Sequence, residues 1–256
     1  MSFDIVIPLG PNEKTRINEQ IEFTKKNIVG FRNIYIVSCD KNIKIPGTII
    51  IDEDIFPFKL FISKYFLQFN GKKNRNGWYF QQLIKLYAGN YIEGILDNYL
   101  VIDADVFFLK QTNFIDIDNK PIFTLGNQNH NPYFKHMIKL HENFTKSIEE
   151  SGICHHMMYN KKYLSEIFKI VEEKHNKPFW NVFILSLSEH KKYITMPEMC
   201  EAGCSEYELY LNYMVKYHKD DIVIRNLIWS DISETDYNSK TFLENNDFVS
   251  VCAWMK

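Results

Sequence analysis

Glycine and proline are scarce in this chain, at 10 and 8 of 256 residues. That excludes collagen-like repeats, mucin-like stalks and the low-complexity tracts of disordered proteins. Cysteine is scarcer still. Five cysteines, an odd number, make no disulfide framework and read as reduced thiols of a cytoplasm, a host's cytoplasm if the source is viral. Neither sign of charge dominates: 30 Lys and Arg face 32 Asp and Glu, for a net −2. A dedicated nucleic-acid module carries a basic excess, so no nucleic-acid partner is expected. Long apolar runs are missing too. A stretch such as Asn181-Val-Phe-Ile-Leu-Ser186 is far too short to span a bilayer, so no transmembrane segment is expected. The start, Met1 to Pro8, carries no basic leader and moves straight into a strand, so no signal peptide is expected. No internal repeat and no Pro/Gly/Ser-rich linker interrupts the chain, and residues 1–256 are expected to form a single domain.

What is present is 45% hydrophobic residues, enough for a large core without a metal or disulfide staple. Phe3 to Pro8 reads as a buried strand, and Gly10-Pro11 opens a polar loop. Asn12 to Asn27 carries Ile17, Ile21, Phe23 and Thr24 at roughly helical spacing, and Asn33 to Ser38 is the next strand. Strand, helix, strand in forty residues is a βαβ unit, hence α/β with a mostly parallel central sheet flanked by helices. Thr48 to Ile51 reads as a short strand before the acidic turn Asp52-Glu53-Asp54. Tyr99 to Ile102 is another apolar run, ending in Asp103-Ala104-Asp105. Helices are expected over 132–146, 161–174 and 206–217, and strands near 121–125, 153–159 and 221–225.

Asp103 and Asp105 are two residues apart, so in extended backbone they point to the same side. In open α/β sheets, ligands sit outside the carboxyl ends of the strands. Two carboxylates there suit a hard divalent cation, Mn²⁺ or Mg²⁺, which can in turn hold a diphosphate. A plain turn rich in Asp is the simpler alternative. Haloacid-dehalogenase-type phosphatases also place D-x-D at a strand tip. Their motif lies early and their late acidic pair follows a strand, whereas here D-x-D begins at 103 and Asp220-Asp221 precedes a strand.

Four blocks occur in order: Asp4 to Pro8; Gly77-Trp-Tyr-Phe-Gln-Gln-Leu-Ile-Lys-Leu86; Tyr99 to Leu109 around the D-x-D; and Ser151 to Met157 with Ser205 to Tyr213. Together they resemble GT-A-type nucleotide-sugar glycosyltransferases, in a little-characterised group from bacteria and large DNA viruses. The resemblance implies a GT-A-like, Rossmann-like fold, a nucleoside-diphosphate sugar donor (uridine or deoxythymidine), Mn²⁺ or Mg²⁺, and a glycan or glycoconjugate acceptor. The expected reaction leans to inversion. A catalytically weak sugar-nucleotide- or glycan-binding protein on the same scaffold is the other class kept open.

The remaining candidates follow from these blocks. On a helix from Trp78, residues Phe80, Leu83, Ile84 and Tyr87 form a buried stripe. Trp78, Gln82 and Lys85, with Gln81 beside them, are expected on the opposite face to read a nucleobase or ribose and counter phosphate. A solvated helix face is the alternative. Pro8 and Gly10 at the first strand's end, Lys14 in the following loop, and Asp103 and Ala104 complete the expected donor set. His155 and His156 would face opposite sides of a strand, so at most one reaches the site, as a metal ligand or on a sugar or phosphate. Cys200 and Cys204 lack a second pair at zinc spacing, so zinc is not expected. Ser205-Glu-Tyr-Glu208 matches a capping box, with Glu208 reaching back to the N-cap. That leaves Glu206 to face a cleft as general base, with Asp105 as its catalytic companion on the metal. Glu208 and Trp229 are further candidates on the acceptor side.

Overall fold

The computed structural model describes residues 2–11, 13–66, 76–187, 203–240 and 245–252. Strand β1 (Phe3–Leu9) is buried at every position. Helix α1 (Ile17–Asn27) buries Ile17, Gln20, Ile21 and Thr24, a stripe at helical spacing. It starts five residues later than the expected 12, after a polar loop. A short strand β2 (Ile28–Val29) and Gly30, whose φ of 90° suits a residue without Cβ, lead into β3 (Phe31–Ser38). Next come β4 (Ile49–Asp52), α2 (Lys59–Phe66), α3 (Asn76–Tyr91) and β5 (Asn98–Ile102). The second half holds β6 (Val106–Phe108), β7 (Thr112–Asn113), β8 (Ile122–Thr124), α4 (Asn131–Leu140), β9 (His156–Asn160), α5 (Lys161–His175) and α6 (Phe179–Leu185). After residue 202 follow α7 (Glu206–Tyr217), β10 (Val223–Arg225), β11 (Trp229–Ile232), α8 (Glu234–Ser239) and β12 (Phe248–Val251).

The central sheet runs β4-β3-β1-β5-β9, parallel throughout except for β9, which pairs antiparallel with β5. This is the expected α/β class. β1 and β5 are buried end to end, as continuous apolar runs are when a parallel sheet is covered on both faces. At the amino end of β1 the buried Asp4 takes Arg32 in a two-pronged grip, Nε to Oδ1 at 3.0 Å and Nη2 to Oδ2 at 2.6 Å. The carboxyl ends of β1, β3 and β5 are thereby left to the ligand side. A three-stranded sheet, β11-β12-β6, is built directly onto the chain that leaves Asp105.

Two expected elements differ. The helix expected over 132–146 stops at Leu140, where His141 turns extended (φ −157°) and its N–H caps the carbonyl of Met137. The strand expected near 153–159 starts only at His156, because His155 adopts a left-handed φ of 62°. No described helix is long and apolar enough to cross a membrane. The described cysteines, Cys39, Cys154, Cys204 and Cys252, are unpaired, while Cys200 lies outside the described residues.

Candidate active site

The antiparallel register of β5 and β9 pairs Ile102 with His156, so the next residues, Asp103 and His155, face each other across the strand tips. The Asp103 N–H donates to the His155 carbonyl at 3.0 Å. His155 Nδ1 lies 3.5 Å from Asp103 Oδ2, and its Nε2 lies 3.0 Å from Asp231 Oδ1. Left-handed backbone costs a non-glycine residue about 1 kcal/mol. Burial works against an imidazolium here, but Asp103 and Asp231 outweigh it and carry the pKa of His155 up to about 10.

Asp231 had no signal in the sequence. It arrives because β11 pairs with β12, opposite Ser250, and β12 pairs with β6, immediately after Asp105. The Val251 N–H closes the junction on the Asp105 carbonyl at 2.9 Å. Trp229, two residues before Asp231, shares its face of the strand. The indole packs edge-on to His155 at 5.5 Å and stacks on Phe248 at 5.3 Å.

Beneath the acidic pair lies Lys85, almost sealed from solvent at 4% side-chain exposure. Its Nζ is 2.6 Å from Asp103 Oδ1, 2.7 Å from Glu206 Oε1 and 3.1 Å from the Tyr207 hydroxyl. Tyr207 donates onward to Asp103 Oδ1 at 3.0 Å. Burial opposes the ammonium charge, but Asp103 and Glu206 overrule it and the pKa of Lys85 is raised. Asp103 is likewise pushed up by burial and then pulled well below the usual carboxylate range by Lys85 and His155. Asp105 differs. Burial, then the charge of Asp103, push its carboxyl up to about 7, and no cationic side chain among the described residues forms an ion pair with it.

A cavity of about 490 Å³ opens beside this cluster at the carboxyl ends of β1 and β3. Its walls include Pro8, Gly10, Glu13, Cys39, Trp78 and Gln81. β1, whose end lines this cavity with Pro8 and Leu9, pairs with β5, which runs into the acidic pair, so the two stand at neighbouring strand tips. A Cβ on Gly10 would meet the end of the Glu13 side chain, which would have to swing aside.

Several expectations are corrected. Trp78 and Gln81 line the cavity, but Gln82 and Lys85 turn away from it and are buried. Helix α3 has no solvated face to spare for them, because it packs between β1, α2, α5 and α7. The Gln82 carbonyl oxygen accepts from the Cys204 thiol at 3.3 Å, and its amide nitrogen finds no partner among the described residues. Lys14 pairs with Asp40 at 2.9 Å rather than being left for a diphosphate. His156 points the other way from His155, into a box of Phe108, Phe114 and Phe248, with Nε2 3.1 Å from Thr124 Oγ1. Burial drives its pKa down to about 3, so it is a neutral core residue.

The helix start at Ser205 is half a capping box. Ser205 Oγ accepts from the Glu208 N–H at 3.2 Å, but the Glu208 carboxylate goes elsewhere, to Ser151 Oγ at 2.5 Å and Asn212 Nδ2 at 3.0 Å. Glu206, expected free in a cleft, is buried against Lys85. Ala104 is buried within the D-x-D turn. Asp221, of the late acidic pair, is taken up by the Tyr163 hydroxyl at 2.8 Å and by His218.

A family model described as a family of unknown function, DUF6492, matches residues 23–246. No curated protein matches the chain. Among solved structures it is similar to mouse xyloside xylosyltransferase 1 in its apo form, at 8% identity over 99% of this chain and 98% of that one, with a TM-score of 0.48. It is also similar to the galactosyltransferase LgtC in complex with donor and acceptor sugar analogues, at 10% identity over 100% of this chain and 88% of that one, with a TM-score of 0.44.

Proposed function

The chain belongs to the family of unknown function DUF6492, and we propose that it is a GT-A-like glycosyltransferase. It would move a sugar from a uridine or deoxythymidine diphosphate donor to a hydroxyl of a glycan or glycoconjugate. One observation carries this reading: a carboxylate pair follows β5, one strand over from a cavity of about 490 Å³ at the tips of β1 and β3. Cavities of that size hold small organic ligands.

The residues divide the work. Trp78 offers a ring and Gln81 an amide to a nucleobase at the cavity wall. The carboxylate of Glu13 can accept ribose hydroxyls. The donor's diphosphate then runs toward Asp105.

Asp105 forms no ion pair with a cationic side chain among the described residues, and that is the feature a divalent ion fits. Among the described residues no three His, Cys, Asp or Glu side chains are gathered as a metal's ligands. Ions such as Mg²⁺ are commonly held by one or two carboxylates together with substrate phosphates, not by an all-protein cage. Asp103 and Asp105 would hold Mn²⁺ or Mg²⁺, which supplies positive charge to the departing diphosphate. His155, charged and wedged between Asp103 and Asp231, orients Asp103. Trp229 beside it presents an aromatic face to the acceptor sugar.

With Glu206 committed to Lys85, the inverting route loses the base that the sequence suggested. Front-face transfer with retention is the route that needs no such base. In that route the acceptor oxygen bonds to the anomeric carbon on the side the diphosphate leaves, and the leaving phosphate oxygen takes the acceptor's proton.

A thermal-shift screen of nucleotides tests the reading, because a ligand that binds the native state stabilises it by mass action. Uridine or deoxythymidine diphosphate should raise Tm with Mn²⁺ and not in excess chelator. Equal stabilisation in chelator removes the metal from the proposal; no nucleotide effect removes the transferase. Slow donor hydrolysis or sugar transfer separates an enzyme from a binding protein.

A further inference from the structure

Resting on the transferase reading, we propose that Lys85 is a positioning residue: it acts on Asp103 from behind, with Glu206 as its counter-carboxylate, and does not contact the donor. An ammonium has three protons to donate. All three have acceptors inside the protein: Asp103 Oδ1, Glu206 Oε1 and the Tyr207 hydroxyl. With 4% of the side chain exposed, neither a donor group nor a path remains for a phosphate.

What this does to Asp103 follows from the hydrogen bonds. Oδ1 receives both Lys85 and Tyr207, so it is locked on the protein side. The other oxygen, Oδ2, is the one turned to His155, which stands opposite it across the strand tips. Lys85 thus decides which carboxylate oxygen is presented.

Its helix adds a second consequence. Trp78 and Gln81 of the cavity wall and Lys85 sit on α3, with Trp78 and Lys85 about 10 Å apart along the helix axis at 1.5 Å per residue. The Tyr99 hydroxyl donates to the Lys85 and Leu86 carbonyls at 3.1 and 3.2 Å, fastening α3 to β5. One rigid helix therefore sets the base-binding wall at a fixed distance from the acid that meets the diphosphate.

Removing Lys85 alone strands the buried Glu206, and that variant is expected to fold poorly. The decisive protein is the double variant Lys85→Met/Glu206→Gln, which removes the ammonium together with the carboxylate it would otherwise strand and leaves Asp103 with Tyr207 and His155. It should melt within a few degrees of wild type. Yet its affinity for Mn²⁺, titrated by electron paramagnetic resonance without nucleotide, and for uridine diphosphate with Mn²⁺ should fall roughly 10–100-fold, as when a ligand's outer partner is removed. The acceptor's KM should stay put. If the double variant binds Mn²⁺ and nucleotide as wild type does, or more tightly, Lys85 is a core ion pair and nothing more. If wild type itself binds neither, the transferase reading fails and takes this proposal with it.

Discussion

Lys85 and Glu206 are 121 residues apart in sequence, and their charged atoms meet at 2.7 Å. The contact joins α3 to the first turn of α7. It explains how a glutamate at a helix N-terminus, a place that normally favours an exposed anion, comes to be sealed in the core. Burial pushes the Glu206 carboxyl up, and Lys85 opposes the push. A carboxylate held this way is a poor proton acceptor for a substrate outside. It is a good anchor for an ammonium that must stay charged.

Asp105→Asn should leave the fold intact while abolishing Mn²⁺-dependent nucleotide binding. Burial and Asp103 both work against the Asp105 charge, so its removal relieves repulsion at the strand tip. The Tm of the free variant should match or exceed that of wild type. A variant that fails to fold would show Asp105 to be a structural acid, and the site would have to move.

Trp78→Ala should weaken nucleotide binding by about 1–3 kcal/mol, the range for losing a base-stacking aromatic. Mn²⁺ binding without nucleotide should be unchanged, since the indole lines the cavity and not the acidic cluster. Loss of both together would mean that Trp78 supports the fold of α3 rather than the base.

How far the sequence reached can be seen element by element. β1, β3 and β5 were legible because buried parallel strands are unbroken apolar runs with polar residues at their ends. Helix α3 was legible as a helix, and its stripe Phe80, Leu83, Ile84 and Tyr87 is buried. Its polar residues were not placed correctly. A helical wheel assumes one buried face, whereas α3 is enclosed on nearly all sides, and Gln81 and Gln82, adjacent in sequence, diverge to the cavity and to Cys204. Alternation separated His155 from His156 but could not say which faced Asp103; the β5–β9 register decides that. Asp231 was invisible, because only the pairing of β11, β12 and β6 carries it across the chain to Asp103 and His155.

The two ends of the Ser205–Glu208 pair should differ in cost. Ser205→Ala loses one N-cap bond, worth about 1 kcal/mol. Glu208→Ala leaves the buried Ser151 hydroxyl without its acceptor, at a cost of about 1–3 kcal/mol, while Asn212 Nδ2 loses the carboxylate but keeps the backbone carbonyl of residue 208 at 2.8 Å. Urea denaturation should therefore rank Glu208→Ala well below Ser205→Ala. Equal losses would return the Glu208 carboxylate to a capping role.

His136 should give the protein a measurable acid sensitivity of its own. The ring is buried on α4, edge-on to Phe183 at 4.8 Å, with Nε2 2.8 Å from the Phe183 carbonyl. A carbonyl only accepts, so Nε2 carries a proton. Burial lowers its pKa to about 4, against about 6.5 in the unfolded chain. Between those values the unfolded state binds the extra proton, so the contribution of His136 to stability falls as pH falls, at up to about 1.4 kcal/mol per pH unit. His156, driven down to about 3, acts in the same direction, while Asp105, raised to about 7, acts in the opposite one. The bare pH profile therefore mixes signs, and a difference is needed. His136→Gln keeps a donor for the Phe183 carbonyl and has no proton to gain. Urea denaturation of both proteins at pH 6.5, 5.5 and 4.5, roughly the window between the two pKa values, should show the variant's deficit shrinking as the medium turns acid. Parallel curves would mean that His136 is protonated in the folded protein or reached by solvent, and the buried, neutral assignment would be lost.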